Sequence, residues 1–266
     1  LFLAAAMSSG IATRVSANDV LINGAPGPGD STPTEIVVNP GSTDDVVVNV
    51  DTIDLTGPAS DTIRVNGGGG NTLLSIDAGR FVSGASSTGA YLKSTSGNIT
   101  AVIDGELSSA FNGITLDSRF APAGGDVTLA GTGNLFATGG TGAWLLTDVG
   151  SVTVDGFNSI NAGGQGIYVN SSGTVQLGTN SPLGTILAGT IGIEVDQLFD
   201  PANNGPIIIN ATDITANGGF GIRTRGHEAD TAITVTGTIQ SGGATGIYAT
   251  STTGNIMIQG GGTGII

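Results

Sequence analysis

The sequence predicts an all-β chain that folds as a right-handed, single-stranded parallel β-helix with three short strands in each coil of about 24 to 29 residues. Three observations predict this solenoid. Gly is unusually frequent, a Gly-led apolar motif recurs at a nearly constant spacing, and each repeat holds three short alternating segments. Gly accounts for 47 of the 266 residues, against an average near 7%. The glycines lack a strict period of three, which excludes a collagen triple helix.

The recurring motif consists of Gly, an apolar residue, any residue and a second apolar residue. Its complete copies are separated by steps of 24 to 29 residues, and the step to the last, incomplete copy is 18 residues. They begin at Gly89, Gly113, Gly142, Gly166, Gly192, Gly221 and Gly246, and a last copy is cut off at Gly264. A version without Gly lies at residues 62–65. A motif that recurs at this spacing predicts one coil of the solenoid for each copy.

Two further segments follow the motif in each repeat. The second alternates as in Val152-Thr153-Val154, and the third as in Ile160-Asn161-Ala162. Alternation with a period of two and many β-branched residues predicts short strands with one buried face. Gly and Asn between the segments provide the left-handed turn conformations that β-branched residues resist.

Stacking of the coils places equivalent residues of successive repeats about 4.8 Å apart. The alignment of the third segments therefore predicts an inward aliphatic column and, beside it, a column of small residues. The predicted aliphatic column is Leu107, Leu135, Ile160, Ile186, Ile214 and Ile239, and the predicted small column is Ser109, Ala137, Ala162, Ala188, Ala216 and Ser241. Pro-bearing insertions at residues 119–125, 180–184 and 198–206 account for the longer repeats.

The two ends of the sequence differ from the repeats. Residues 1–17 are interpreted as the remnant of a secretory signal peptide, because residues 1–12 are apolar or small and Val15-Ser16-Ala17 provides a small-x-small cleavage site. Residues 18–60 are less regular, and four of the nine Pro residues lie between Pro26 and Pro40. We expect an N-terminal cap and a first irregular coil in residues 18–60. We expect residues 61–266 to form the β-helix, truncated at its C-terminus.

The composition excludes several classes of function. Asp and Glu number 21 and Lys and Arg only 7, for a formal net charge of −14, so a cationic footprint for nucleic acid is missing. Cys is absent, which excludes disulfides, thiolate metal sites and a thiol nucleophile. The Gly-rich run at residues 66–73 resembles a calcium-binding nonapeptide, but Thr72 replaces the liganding Asp and there is no second copy. We expect a turn there, and no metal or cofactor.

The aromatic residues are concentrated at one position of the repeat. All three Tyr residues and the single Trp occupy the outward position of the first strand, as Tyr91, Trp144, Tyr168 and Tyr248. Exposed aromatic faces can stack on sugar rings or anchor a protein partner. They can equally pack on one another and cover the strands of the sheet.

The densest group of ionisable residues spans two adjacent coils and contains Glu194, Asp196, Arg223, Arg225 and His227. In a lyase-like site, Arg225 or His227 would act as the base and the two acids would bind a cation. The acids can instead neutralise the two Arg residues, and we favour this structural network and predict no catalytic residue. The alignment stacks Glu194 on Arg223, Asp196 on Arg225 and, in an earlier coil, Lys93 on Asp117.

These features together resemble the passenger domains of bacterial autotransporters, the type V secreted proteins of the Gram-negative outer membrane. The resemblance covers about residues 18–266 and is carried by the signal remnant, the absence of Cys, the acidic balance and coils such as Gly166-Ile167-Tyr168-Val169 with Gly-Gly turns. Filamentous haemagglutinin-like adhesins share much of this pattern. The resemblance implies export, translocation through a downstream outer-membrane β-barrel that this sequence does not include, and display at the cell surface or secretion.

We therefore expect a non-enzymatic, elongated scaffold for adhesion. Its partner would be a host-cell or surface glycan, a protein ligand or a second copy of the chain. The alternatives are a carbohydrate-active β-helix enzyme, either a polysaccharide lyase or a glycosidase, and a purely structural spacer stalk. Asp117 and Asp196 are three coils apart, about 14 Å, whereas a glycosidase pair needs about 5–9.5 Å.

Overall fold

The computed structural model describes residues 19–23, 36–38, 45–51, 54–57, 61–85, 87–119, 124–197, 204–226, 228–243 and 245–260. Within these ranges the chain is all-β and contains no helix, and its strands stack in parallel as a solenoid of about eight turns with three strands per coil. The predicted parallel β-helix is confirmed. None of the described segments forms a helix able to span a membrane. The proposed signal remnant and Gly264 lie outside the described residues.

The first strand of each coil belongs to a nine-stranded parallel sheet. Its strands are β2 (Ile36–Val38), β5 (Ile63–Asn66), β8 (Ala90–Lys93), β11 (Ile114–Ser118), β14 (Ala143–Thr147), β17 (Ile167–Asn170), β20 (Ile193–Asp196), β22 (Ile222–Arg225) and β25 (Ile247–Thr250). From β8 onwards, these strands start directly after the glycines of the sequence motif.

The second and third strands of the coils form a 17-stranded sheet that bends between them. The second strands are β1 (Asp19–Asn23), β3 (Asp45–Val50), β6 (Thr72–Ile76), β9 (Ile99–Ile103), β12 (Val127–Gly131), β15 (Val152–Gly156), β18 (Val175–Leu177), β23 (Thr231–Val235) and β26 (Ile256–Gly260). The third strands are β4 (Leu55–Gly57), β7 (Phe81–Gly84), β10 (Glu106–Ser109), β13 (Asn134–Ala137), β16 (Ser159–Ala162), β19 (Leu183–Ala188) and β24 (Ile239–Ser241). In one coil the second and third strands are continuous and form the single strand β21 (Ile207–Ala216).

Parallel pairing extends into the region predicted as a cap. Strand β1 pairs with β3, and β2 pairs with β5, in the same registers as the later coils. Parallel pairing therefore already includes strands within residues 18–60, where the sequence predicted a cap and a first irregular coil. The insertion at residues 180–184 is also partly strand, because β19 starts at Leu183 and pairs there with Ala211.

The predicted columns are confirmed in register and burial. Leu135 pairs with Leu107 on one side and Ile160 on the other, and Ala162 pairs with Ala137 and Ala188. These side chains are almost completely buried, except that Ile239 and Ser241 near the end are only partly so. The buried residues form one continuous aliphatic core along the solenoid.

Asp and Asn side chains join successive coils at the bends. Before the second strands, Asp45 Oδ1 accepts the Asn71 N–H at 2.6 Å, Asn71 Oδ1 accepts the Asn98 N–H at 3.0 Å, and Asn98 Oδ1 accepts the Asp126 N–H at 2.9 Å. The same contact recurs at the other two bends, for example from Thr132 N–H to Asp104 Oδ1 at 2.9 Å. These ladders satisfy backbone donors where strand pairing is interrupted.

A buried hydroxyl ladder closes the bend between the first and second strands. Its members are the last residue of a first strand, as Ser118 and Thr147 are, or the residue directly after one: Ser94, Ser171 and Ser251. Thr147 Oγ1 accepts the Gly150 N–H at 3.1 Å and donates to the Gly125 carbonyl of the preceding coil at 3.0 Å. Where an insertion starts at residue 198, Gln197 takes this place, and its longer amide donates to the carbonyls of Gly173 and Gly205, each at 2.9 Å.

The motif glycines from Gly89 to Gly221 are required by the close approach of neighbouring coils. A Cβ on Gly142 would lie 2.6 Å from the Gly166 carbonyl oxygen, which is too close for any side chain. The backbone N–H of Gly142 meanwhile donates to the Gln165 carbonyl at 2.9 Å. Gly is therefore selected here by contact between coils.

We expect Thr147→Val to lower the free energy of unfolding by about 1–3 kcal/mol, because the isosteric side chain leaves the Gly150 N–H without its buried acceptor. Chemical denaturation measures the loss, and amide hydrogen exchange at Gly150 locates it. Thr153→Val on the partly exposed outer side of β15 is the control and should change the stability by less than about 0.5 kcal/mol. Equal effects of the two substitutions would contradict a stabilising role of the hydroxyl ladder.

Candidate functional site

The outer face of the nine-stranded sheet carries all the aromatic residues predicted as candidate binding residues. Tyr91, Trp144, Tyr168 and Tyr248 each occupy the second residue of a first strand. Their register is continuous, since Thr115 pairs with Tyr91 and Trp144, and Trp144 pairs with Tyr168. The stack of coils therefore aligns these rings along one side of the solenoid.

Large side chains form most of the solvent-facing surface of this outer face. Tyr91, Trp144 and Tyr168 are partly exposed, and Tyr248 is 43% exposed. The smaller Thr115 and the carboxylate of Glu194 lie in the same column but are 7% and 2% exposed. The face thus presents rings and guanidinium groups to solvent, and the carboxylates lie beneath them.

Neighbouring aromatic and cationic groups are in contact along the face. The rings of Trp144 and Tyr168 meet edge to face, with centroids 5.8 Å apart and an interplanar angle of 87°. The Arg64 guanidinium lies 5.6 Å from the Tyr91 ring centroid, and Phe220 lies 5.3 Å from Tyr248. The rings therefore cover the sheet by packing on their neighbours, and they keep part of their surface in solvent.

The acids and arginines of the predicted ionisable cluster form a paired network. Arg225 Nε and Nη2 each donate to Asp196 at 2.6 Å, and Arg225 Nη2 also donates to Glu194 at 3.2 Å. Arg223 donates to Glu194 as well. Glu194 and Asp196 are only 2% and 3% exposed, so burial and four charge-assisted hydrogen bonds hold both acids in place. His227 lies outside the described residues.

Gln165 is part of this network, although the sequence interpretation did not include it. Its Nε2 donates to Glu194, and its Oε1 accepts a hydrogen bond from Thr141 Oγ1 at 3.4 Å. Gln165 precedes the motif glycine Gly166, so only the tertiary structure shows that its side chain turns onto the outer face. The sequence feature that could have identified Gln165 as a partner of Glu194 is its position one coil earlier in the repeat.

A second ionic group lies several coils earlier on the same face. Arg119 donates to Asp117 through Nε at 3.0 Å and Nη2 at 2.9 Å. The predicted register of Lys93 opposite Asp117 is confirmed, and Arg119 is the additional partner of this carboxylate. Hydrogen bonding to Asp117 raises the pKa of Arg119, and burial raises the pKa of the neighbouring Asp148.

Burial also shifts the pKa of two aromatic residues. It raises the pKa of Tyr168 and Tyr91, and nearby acids, Asp196 and Glu194 for Tyr168 and Asp117 for Tyr91, raise it further. The hydrogen bond to Asp196 raises the pKa of Arg225. Arg225 is consequently a poor general base, because it holds its proton even more tightly than a free Arg side chain.

The described residues contain no cluster of three or more His, Cys, Asp or Glu side chains that could hold a metal ion. The Gly-rich run after β5 forms the bend between the first and second strands, as the sequence predicted. Its backbone is joined to the next coil, where the Gly67 N–H donates to the Lys93 carbonyl at 2.7 Å.

Comparison of the chain with models of known protein families, with curated proteins and with solved structures finds no match.

We expect Glu194→Gln to lower the free energy of unfolding by about 2 kcal/mol, because it removes charge-assisted hydrogen bonds to Arg223 and Arg225. Glu228→Gln is the matched control, since Glu228 is an exposed acid three residues after Arg225. Chemical denaturation of both variants measures the difference. A similar, small loss in both variants would show that the network contributes nothing to stability.

The raised pKa of Tyr168 makes stability depend on pH in the alkaline range. The folded state holds this proton more tightly than the unfolded chain, so the free energy of unfolding falls as the pH rises above the unfolded value of about 10. We expect Tyr168→Phe to lose less stability than the parent chain between about pH 9.5 and pH 11. Denaturation of the variant and the parent chain at a series of pH values measures how the free energy of unfolding of each changes with pH. Parallel curves of this free energy against pH would refute the expectation.

Proposed function

We propose that this chain is an exported passenger domain that acts as an elongated adhesion scaffold and binds its partner through the outer face of the nine-stranded sheet. The observation that carries the proposal is the one-sided alignment of Tyr91, Trp144, Tyr168 and Tyr248 over seven stacked first strands. Tyr and Trp are the residues most enriched at binding anchors. A rigid stack of about 40 Å keeps such anchors in a fixed row.

Export is supported by the sequence. The apolar start and the small-x-small tripeptide ending at Ala17 fit a secreted chain, and the absence of Cys is part of the autotransporter resemblance. The parallel β-helix is compatible with the passenger of an autotransporter, and an adhesin on the Gram-negative cell surface is the role that this resemblance suggests.

A non-catalytic role agrees with the state of the ionisable groups. The acids that a lyase or a glycosidase would use, Glu194 and Asp196, are buried and bound by Arg223 and Arg225. An acid in that state is unavailable to a substrate unless the network opens. Incubation with acidic polysaccharides tests the enzyme alternative, and cleavage that Arg225→Ala abolishes would favour it.

We expect the double substitution Trp144→Ala and Tyr168→Ala to weaken binding of the chain to cells or to glycan-coated surfaces at least tenfold. The reason is that it removes two adjacent, partly exposed anchors, each of which is worth about 1 kcal/mol or more. Surface-binding assays with the full chain measure the loss, and circular dichroism checks that the variant retains its β-structure.

Phe136→Ala is the control for this experiment. Phe136 is also aromatic, outward and partly exposed, but it belongs to β13 in the 17-stranded sheet. We expect it to leave binding unchanged. Unaltered binding in the double variant would eliminate the outer face as the adhesive surface, and a chain that binds neither cells nor glycans would favour the spacer stalk.

A further inference from the structure

We infer that the outer face of the nine-stranded sheet binds an uncharged polysaccharide rather than an acidic one. The inference rests on the proposed function and assigns a ligand class to the same surface. It comes from the distribution of charge over the described residues, from the unpartnered polar atoms of this face and from its area.

Charge is segregated between the sides of the solenoid. Among the described side chains, five cations lie on the outer face or at its edge, and five acids pair or interact with them. The cations are Arg64, Lys93, Arg119, Arg223 and Arg225, and the acids are Asp61, Asp117, Asp148, Glu194 and Asp196. The remaining described side chains include eleven acids but one cation, Arg80. The outer face is therefore close to neutral, and the rest of the surface is strongly acidic.

The four arginines of the outer face are already neutralised. Arg64 lies 3.7 Å from Asp61, Arg119 binds Asp117 through two nitrogen atoms, and Arg225 does the same with Asp196. An acidic ligand would have to compete with these carboxylates and approach a chain with a net charge of −14. The partly exposed N–H groups of these arginines remain suited to neutral hydroxyl acceptors.

Three buried polar atoms of this face have no hydrogen-bond partner among the described residues. They are Trp144 Nε1, Asn170 Oδ1 and Arg223 Nε. Asn170 is only 9% exposed and belongs to the strand that carries Tyr168. Each buried polar atom without a hydrogen-bond partner lowers the free energy of unfolding by about 1–3 kcal/mol. A ligand rich in hydroxyl groups can supply both donors and acceptors to them after a small rotation of the covering rings.

The dimensions of the face favour a linear polymer over a protein or a second copy. Nine strands of three to five residues give a surface of about 40 Å by 15 Å, or about 600 Å². A stable protein–protein interface needs about 800 Å² on each partner. Two copies would also bring together two chains of charge −14. A polysaccharide needs no comparable area, because it can lie along the row of rings with one sugar after another in contact.

The test uses the full chain and pairs of polysaccharides that differ only in charge. Each neutral polymer of a panel is matched with the same polymer oxidised at C6 to the uronate, and affinities are measured in about 20 mM and about 0.5 M salt. We expect at least tenfold tighter binding of the neutral member in low salt. We expect the difference to narrow in high salt, where long-range repulsion is screened.

Two variants identify the source of the selectivity. Combined Asp51→Asn, Asp77→Asn and Glu228→Gln neutralises three exposed acids that lie outside the first strands. This variant should have a higher affinity for the oxidised polymers in low salt and an unchanged affinity for the neutral ones. Trp144→Ala with Tyr168→Ala should weaken binding of the neutral polymers, and Phe136→Ala should not.

Equal or tighter binding of the oxidised polymers in low salt would overturn the inference, and so would the absence of binding to every pair. The proposed function has a separate outcome. If no glycan binds but adhesion to cells still depends on Trp144 and Tyr168, the adhesive face stands and its ligand is a protein.

Discussion

The structure depends on one constraint, the in-register parallel pairing of each coil with the next. Because equivalent residues lie directly over one another, a side chain that suits one coil must also suit its neighbours on both sides. Leu135 between Leu107 and Ile160 illustrates this for the core. A slip of one residue would exchange the inward and outward side chains of a strand, so the aliphatic core opposes it strongly. The same register also fixes the bends. There, Asp and Asn side chains accept backbone N–H groups of the next coil, and the hydroxyl ladder that includes Thr147 joins neighbouring coils.

This constraint also accounts for much of the acidic composition. Carboxylates such as Asp45, Asp104 and Asp213 accept a backbone N–H from the following coil. Asp serves there as a short acceptor, as Asn does at Asn71 and Asn98. A negatively charged surface follows from the way the bends are closed. Five of the six cations that the structure describes lie instead on the outer face of the nine-stranded sheet or at its edge, where they neutralise local acids and leave the aromatic row in a nearly uncharged setting.

The parts of the site that could be predicted were those that follow from register alone. The Gly motif aligned Glu194 with Arg223 and Asp196 with Arg225, and the structure confirms both ion pairs. Gln165 and Arg119 could not be placed in this way, because each lies outside the aligned strand and reaches its carboxylate through a side chain that turns at a bend. The burial of Glu194, which is 2% exposed, could not be predicted from the sequence either. An outward-facing residue is buried only by the size and conformation of its neighbours.

The sequence by itself determined the repeat, the three strands of a coil, the inward columns and the side on which the aromatic residues lie. Each of these follows from a period of two within strands and a nearly constant spacing between coils, which need no knowledge of side-chain conformation. Only the tertiary structure decided how the bends are satisfied, that parallel pairing already includes β1 and β2, and that the outward acids lie beneath rings and guanidinium groups. These properties depend on contacts between different coils at atomic distances, and the same pattern of apolar and polar residues is compatible with several such arrangements.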